Sequence, residues 1–122
     1  MIRLKRVYEE PAPEDGARYL VERLWPRGIA KQAAALTYWL KDVAPTPELR
    51  KWYGHRPERW PEFQKRYREE LTDEPHRAAL AELRRAARQG PVTLVYAAKD
   101  PERNSAVVLR QVLAQRTQTR SG

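Results

Sequence analysis

The residues of this chain best suited to chemistry fall in two short stretches, Arg23-Leu24-Trp25-Pro26-Arg27-Gly28 and Lys51-Trp52-Tyr53-Gly54-His55-Arg56. Each sets arginine and tryptophan beside a glycine-containing turn. A guanidinium offers a planar fork of donors and an indole a flat face, which together suit an anionic, planar partner. A third stretch, Tyr96-Ala97-Ala98-Lys99-Asp100-Pro101, joins an apolar run to a helix start. Free backbone N–H groups and the helix dipole attract anions at such a place. Arg23, Arg27, Arg50 and Lys99 are therefore the candidate anion-binding residues, and Trp25 and Trp52 the candidate stacking platforms. The competing reading is structural. Arg18, Arg23, Arg27, Lys31, Arg50 and Arg56 can pair with Asp15, Glu22, Asp42 or Glu48, and tryptophans serve cores and interfaces more often than ligands.

Two residues are candidates for acid–base catalysis. His55 follows Gly54 in a loop between helices, and an ordinary histidine pKa of about 6.5 suits proton transfer near neutrality. Asp100 is the other, although Asp followed by Pro and Glu is also a helix-capping pattern. His76 falls on an apolar helix stripe and reads as packed. The chain has 2 histidines and no cysteine. That removes thiol nucleophiles, thiolate metal sites and disulfides, and leaves no metal-ligand spacing, so no metal is expected. Neither a GxGxxG nor a GxxxxGK[ST] phosphate loop occurs, and no cofactor is expected. Ser105 lies within a helix and outside any G-x-S-x-G context.

Charge widens the choice of partner. With 24 Lys and Arg against 16 Asp and Glu, the net charge is +8. Such a balance favours phosphate-bearing ligands or nucleic acid through long-range attraction and counterion release. A compositional preference for arginine produces the same excess without any partner. No apolar run approaches the roughly 18 residues of a membrane span, so no membrane partner is expected. Met1 to Val7 alternates in polarity instead of forming a signal-peptide block. The oligomeric state is open.

The elements that must position these residues follow from periodicity. The 122 residues suit one domain. Ile2 to Tyr8 reads as a strand, and a Pro- and Gly-broken loop follows over 9–16. Tyr19 to Trp25 reads as a second strand, with Tyr19, Val21, Arg23 and Trp25 on one face. If that face is covered, Arg23 needs a partner. Lys31 to Leu36 suits a short helix, and a short strand is expected within 37–43. Thr46-Pro47-Glu48 starts a helix that Gly54 closes. Pro61 to Leu71 carries a Phe63, Tyr67, Leu71 stripe, and Asp73 to Gln89 carries His76, Leu80, Leu83 and Ala87. Val92 to Ala97 is continuously apolar, as a central strand buried on both faces would be. A last helix is expected from Pro101 to Gln115, and a polar, disordered tail over 117–122. The order indicates one α/β domain over 1–116: three layers, with a small, mainly parallel sheet flanked by helices. Ligands in such sheets bind beyond the carboxyl ends of the strands. Two notable stretches, Trp25-Pro26-Arg27-Gly28 and Ala98-Lys99-Asp100, lie at such ends.

The joint pattern is similar to a known family. Asp15-Gly16, the Arg23–Gly28 block, Trp39-Leu40-Lys41, the Glu48–His55 block, Arg66-Tyr67 with Glu70-Leu71, and the Val92–Asp100 run with Asn104 resemble the YeaO-like branch of the uncharacterised domain-of-unknown-function family 488. The likeness spans about residues 2–114. It implies a small cytoplasmic protein with a distantly rhodanese-like fold. Other branches carry a cysteine near the end of the strand that corresponds to Val92–Ala97. Here Tyr96-Ala97-Ala98 occupies that region, so the usual thiol nucleophile is missing. A fold carries no function by itself. The leading expectation is a non-thiol anion-binding domain for a nucleotide, nucleic acid or phosphorylated metabolite. The alternatives are a cysteine-independent enzyme using His55 or Asp100, and an interaction module with a Trp-rich interface.

Overall fold

A computed structural model describes residues 2–120, with side chains to Gln115. The 117–122 tail expected from the sequence lies outside the fully described residues. The elements are β1 (Ile2–Arg6), β2 (Ala17–Leu20), α1 (Lys31–Ala34), β3 (Tyr38–Trp39), α2 (Pro47–Tyr53), α3 (Trp60–Glu70), α4 (His76–Gln89), β4 (Val92–Tyr96) and α5 (Ser105–Arg120). The strands form one sheet in the order β1-β4-β2-β3, and every pairing is parallel. The domain is thus α/β, and β4 lies at its centre with all five residues buried. A strand covered on both faces has no polar side to present, which is why its sequence does not alternate.

The two faces of the sheet are unequal. Tyr19, Val21, Val92, Leu94 and Tyr96 join side chains of α2, α3, α4 and α5 in the large core. Leu20 and Val95 point the other way, into a smaller cluster with Val7, Ala34, Trp25 and Trp39. That thin layer is closed by the four-residue α1 and by the two indoles, which meet edge to face at 5.3 Å. Each large side chain buried this way contributes about 1.5–3 kcal/mol of transfer free energy.

Several boundaries differ from expectation for local reasons. β2 ends at Leu20, not Trp25, because its short neighbour β3 pairs only with Tyr19 and Leu20. Val21 N–H still reaches the Val95 carbonyl, after which the chain turns away. Tyr19 and Val21 keep the face predicted for them, whereas Trp25 crosses to the smaller cluster. α1 stops at Ala34 because Ala35 is left-handed, with φ 49°. α4 begins at His76 rather than Asp73, just past Pro75. α5 begins at Ser105, four residues later than predicted. Asn104 is its cap, its Oδ1 accepting the Val107 N–H at 3.1 Å.

The α2 start behaves as its sequence predicts. Thr46 Oγ1 accepts the Leu49 N–H at 3.2 Å, and Gly54 closes the helix in the left-handed region at φ 52°. The structure adds Glu70 of α3, whose carboxylate accepts both the Thr46 N–H at 3.0 Å and the Thr46 hydroxyl at 2.6 Å. Thr46→Ala removes a cap and strands one Glu70 oxygen, so a loss of about 1–2 kcal/mol is expected in urea unfolding. Thr46→Ser, which keeps the hydroxyl, should stay within a few tenths of wild type.

Candidate functional site

A cleft of about 250 Å³ opens where β2 and β4 end, lined by residues 22–25, the Ala44-Pro45 turn, α2 and its cap, and the 97–105 segment. This is the carboxyl end of a parallel sheet, where the chain order leaves a gap between neighbouring loops. The volume falls just below the usual range of ligand pockets, roughly 300 to 1,000 Å³. Its walls are Trp25, Tyr53 and Phe63, and its ionisable groups are Glu22, Arg23, Arg50, Tyr53, His55 and Arg103.

Arg23 reaches the cleft already engaged. Its Nε donates to the Pro45 carbonyl at 3.1 Å and its Nη2 to the Ala44 carbonyl at 2.9 Å. The partner its half-buried charge requires is therefore backbone dipole, not a carboxylate. This contact pins the turn before α2 to the end of β2. Arg50 differs, for its exposed guanidinium makes no ion pair or hydrogen bond with any described residue. Trp25 donates its indole N–H to the Ile29 carbonyl at 2.7 Å, which fixes one ring edge while the ring lines the cleft.

Glu22 is the group that sequence reasoning left as a mere pairing partner. Its Oε2 accepts the Ala97 N–H at 2.9 Å. Burial raises its pKa above the ordinary carboxylate value, opposed by that N–H and by the charges of Arg50 and His55. Nothing in the local sequence marks it. The only signal was its place two residues beyond a strand end.

The 97–104 segment is tied down on several sides. Asp100 Oδ1 accepts the N–H groups of Glu102 at 2.9 Å and Arg103 at 3.2 Å, and Oδ2 accepts Arg103 Nη1 at 3.2 Å. The Glu102 N–H is the largest of the contributions that hold its carboxyl below the usual range. Asp100 thus organises the loop ahead of α5. Asn104 Nδ2 returns a hydrogen bond to the Asp100 carbonyl at 2.8 Å, and Arg6 Nε donates to the Ala98 carbonyl at 2.9 Å.

The remaining sequence candidates separate. His55 lies on the cleft rim, exposed, with a left-handed backbone at φ 59° beside the left-handed Gly54. Such a conformation is uncommon for a residue with a Cβ. Asp100, Lys99 and Arg27 are not among the lining residues, and the last two are exposed. Trp52 also lies outside the cleft, its ring flanked by the guanidinium groups of Arg59 at 5.0 Å and Arg66 at 4.3 Å. Arg18 is on the far face of the sheet, bound to Asp15 at 2.6 Å. The structure therefore brings Arg23, Arg50, Trp25 and His55 together and leaves Arg27, Lys99, Asp100 and Trp52 apart. Among the described residues no group of three or more His, Asp or Glu side chains could hold a metal ion, and no helix is long and apolar enough to cross a membrane.

Comparison with known proteins gives relatives of similar length. A family model described as the inactive DUF488-N3 subclade matches residues 1–122. An uncharacterized protein of Mycobacterium tuberculosis H37Rv, Rv3073c, is 51% identical over 112 residues, which cover 92% of each chain. The uncharacterized protein YeaO of Escherichia coli K12 is 41% identical over 108 residues, covering 88% of this chain and 92% of its own. No solved structure matches, so the rhodanese-like character implied by the sequence resemblance has no structural counterpart among these findings.

Proposed function

Since the chain belongs to the inactive DUF488-N3 subclade, we propose that it is a binding domain for a small anionic ligand, held in the cleft over the ends of β2 and β4 without thiol chemistry. The observation that carries this reading is Arg50. A guanidinium that lines a concave site and makes no hydrogen bond or ion pair with any described residue is available to an anion. Arg23 lines the same cleft and adds to its positive potential, whereas Arg103 is already paired with Asp100 and Glu22 opposes with one carboxylate. Bidentate pairing with a phosphate or carboxylate is the strongest contact arginine makes. Trp25 and Tyr53 line the cleft as well and offer aromatic surface to the rest of the ligand. The chain contains no cysteine. That absence and the family description favour binding over the thiol chemistry of a nucleophilic loop. The cleft volume suits one small ligand, or part of a mononucleotide, rather than a buried stretch of nucleic acid.

Trp25 provides the assay. Its fluorescence should change saturably on titration with nucleoside monophosphates or phosphorylated metabolites, and the affinity should fall as salt rises. Arg50→Gln should weaken binding about tenfold, the low end for a charge-assisted contact at an exposed site. Saturable binding that is indifferent to both salt and Arg50, or no binding across the panel, overturns the reading.

A further inference from the structure

Glu22 is the feature of this cleft that anion binding alone leaves unexplained. A carboxylate among the lining cations opposes an anionic ligand. Fold maintenance accounts for one of its oxygens, Oε2, which accepts the Ala97 N–H at 2.9 Å. Oε1 makes no hydrogen bond with any described residue, and no Lys or Arg of the described residues approaches within 4.0 Å to form an ion pair. Arg50 and His55 are near enough to act on its charge but do not touch it. A half-buried carboxyl with an unused acceptor is stabilised by whatever donor a ligand brings.

Its placement is also rigid. The residue before it, Val21, is hydrogen-bonded through its N–H to the Val95 carbonyl at 3.1 Å. The Glu22 carbonyl accepts the Trp39 indole N–H at 2.6 Å. With the carboxylate itself anchored on Ala97, the residue is held from the sheet, from β3 and from the 97–104 loop. A recognition group held this way loses little freedom when it binds. The same cleft presents the ring of Trp25 and the guanidinium of Arg50.

We infer that Glu22 is the specificity-determining residue of this cleft: it accepts a hydrogen bond from an amino N–H of the ligand. The site thereby selects, among small anions, those whose aromatic or heteroaromatic ring carries an amino group. The inference rests on the anion-binding reading and refines it. Arg50 takes the anion, the aromatic wall takes the ring, and Glu22 takes the amino group. A nucleobase with an exocyclic amine and a simple aminated aromatic acid share this chemistry.

Calorimetric titration with matched pairs tests it and separates the two sources. Adenosine 5′-monophosphate and purine riboside 5′-monophosphate differ only in the exocyclic amine, as do 4-aminobenzoate and benzoate. Wild type should prefer the aminated member of a pair by about tenfold or more, as expected for a hydrogen bond to a charged acceptor. The pair that shows the preference identifies the source. Glu22→Gln keeps an oxygen for the Ala97 N–H but loses the charge. It should erase most of the preference, and the amine-free member should bind at least as tightly as to wild type because the opposing charge is gone. If wild type binds both members of every pair equally and with salt sensitivity, Glu22 is a loop anchor only; this inference falls and anion binding stands. If wild type binds no member, both fall. Should Glu22→Gln fail to fold, the paired comparison in wild type still decides.

Discussion

Asp15→Ala is expected to lower the unfolding free energy by about 3–5 kcal/mol, the usual cost of removing one partner from a buried ion pair. Asp15 is 2% exposed and faces both Lys5 at 3.0 Å and Arg18 at 2.6 Å. Its Oδ2 also accepts the Ala12 N–H at 3.0 Å. Arg18 is itself buried and donates to the carbonyls of Ala34 and Ala35, which fastens the end of α1 onto the sheet. Removing the carboxylate leaves the Arg18 guanidinium with carbonyl dipoles alone and frees the loop that covers the thin face. Lys5 is 20% exposed and can turn to water, so Lys5→Ala should cost far less than Asp15→Ala. Chemical denaturation of the three proteins checks the order.

The same carboxylate ties stability to acid. Burial alone would raise its pKa, but the Ala12 N–H, Lys5 and Arg18 together outweigh that and hold it below the ordinary value of 3.8. A depressed folded-state pKa means that the unfolded chain takes up the proton first. The stabilisation is thus complete above the unfolded value and is lost as pH falls through the folded one. The wild-type protein should lose stability steeply below about pH 4, and Asp15→Ala should show a shallower slope over that range. Equal slopes for the two proteins would contradict the assignment.

Gly16→Ala is the second large effect, on the order of 3 kcal/mol of destabilisation. Gly16 has φ 64° and ψ −136°, a region that essentially only glycine occupies. A Cβ there would also lie 2.3 Å from the Pro91 carbonyl oxygen. That carbonyl cannot retreat cheaply, because it accepts the Ala17 N–H at 3.0 Å where β2 begins beside β4. Gly90 provides the control. Its backbone is extended and a Cβ would meet nothing within 4 Å, so Gly90→Ala should change the thermal midpoint little. Similar shifts for both alanine variants would mean that the close approach to Pro91 does not constrain the fold.

How legible the molecule is from its sequence depends on how far each feature reaches. The 92–96 strand was readable because burial on both faces leaves a purely apolar run, a property of the segment itself. The bounds of α2 were readable for the same reason, since Thr46, Pro47 and Gly54 act within one turn of their own positions. The start of α5 was misread because Asp100-Pro101-Glu102 is equally good turn chemistry, and Asn104 supplies the true cap. The end of β2 was misread because it is set by how far β3 extends alongside it, which no residue of β2 encodes.

The candidate site divides in the same way. The strand-end rule and the Arg–Trp composition pointed to the carboxyl ends of the strands, and Arg23, Arg50, Trp25 and His55 do line one cleft there. The sequence by itself determined the α/β class, the buried central strand and the lack of cysteine, and it offered the strand ends as the place to look. These follow from local periodicity and composition. Only the tertiary structure decided that Arg23 is spent on the carbonyls of Ala44 and Pro45, that Arg18 is buried on Asp15 across the sheet, that Trp52 lies outside the cleft, and that Glu22 stands in it with an oxygen unused. Those partnerships mostly span tens of residues. In a parallel sheet, neighbouring strands are joined by long crossovers, so side chains that meet at their ends are remote in sequence and share no spacing a linear reading could detect.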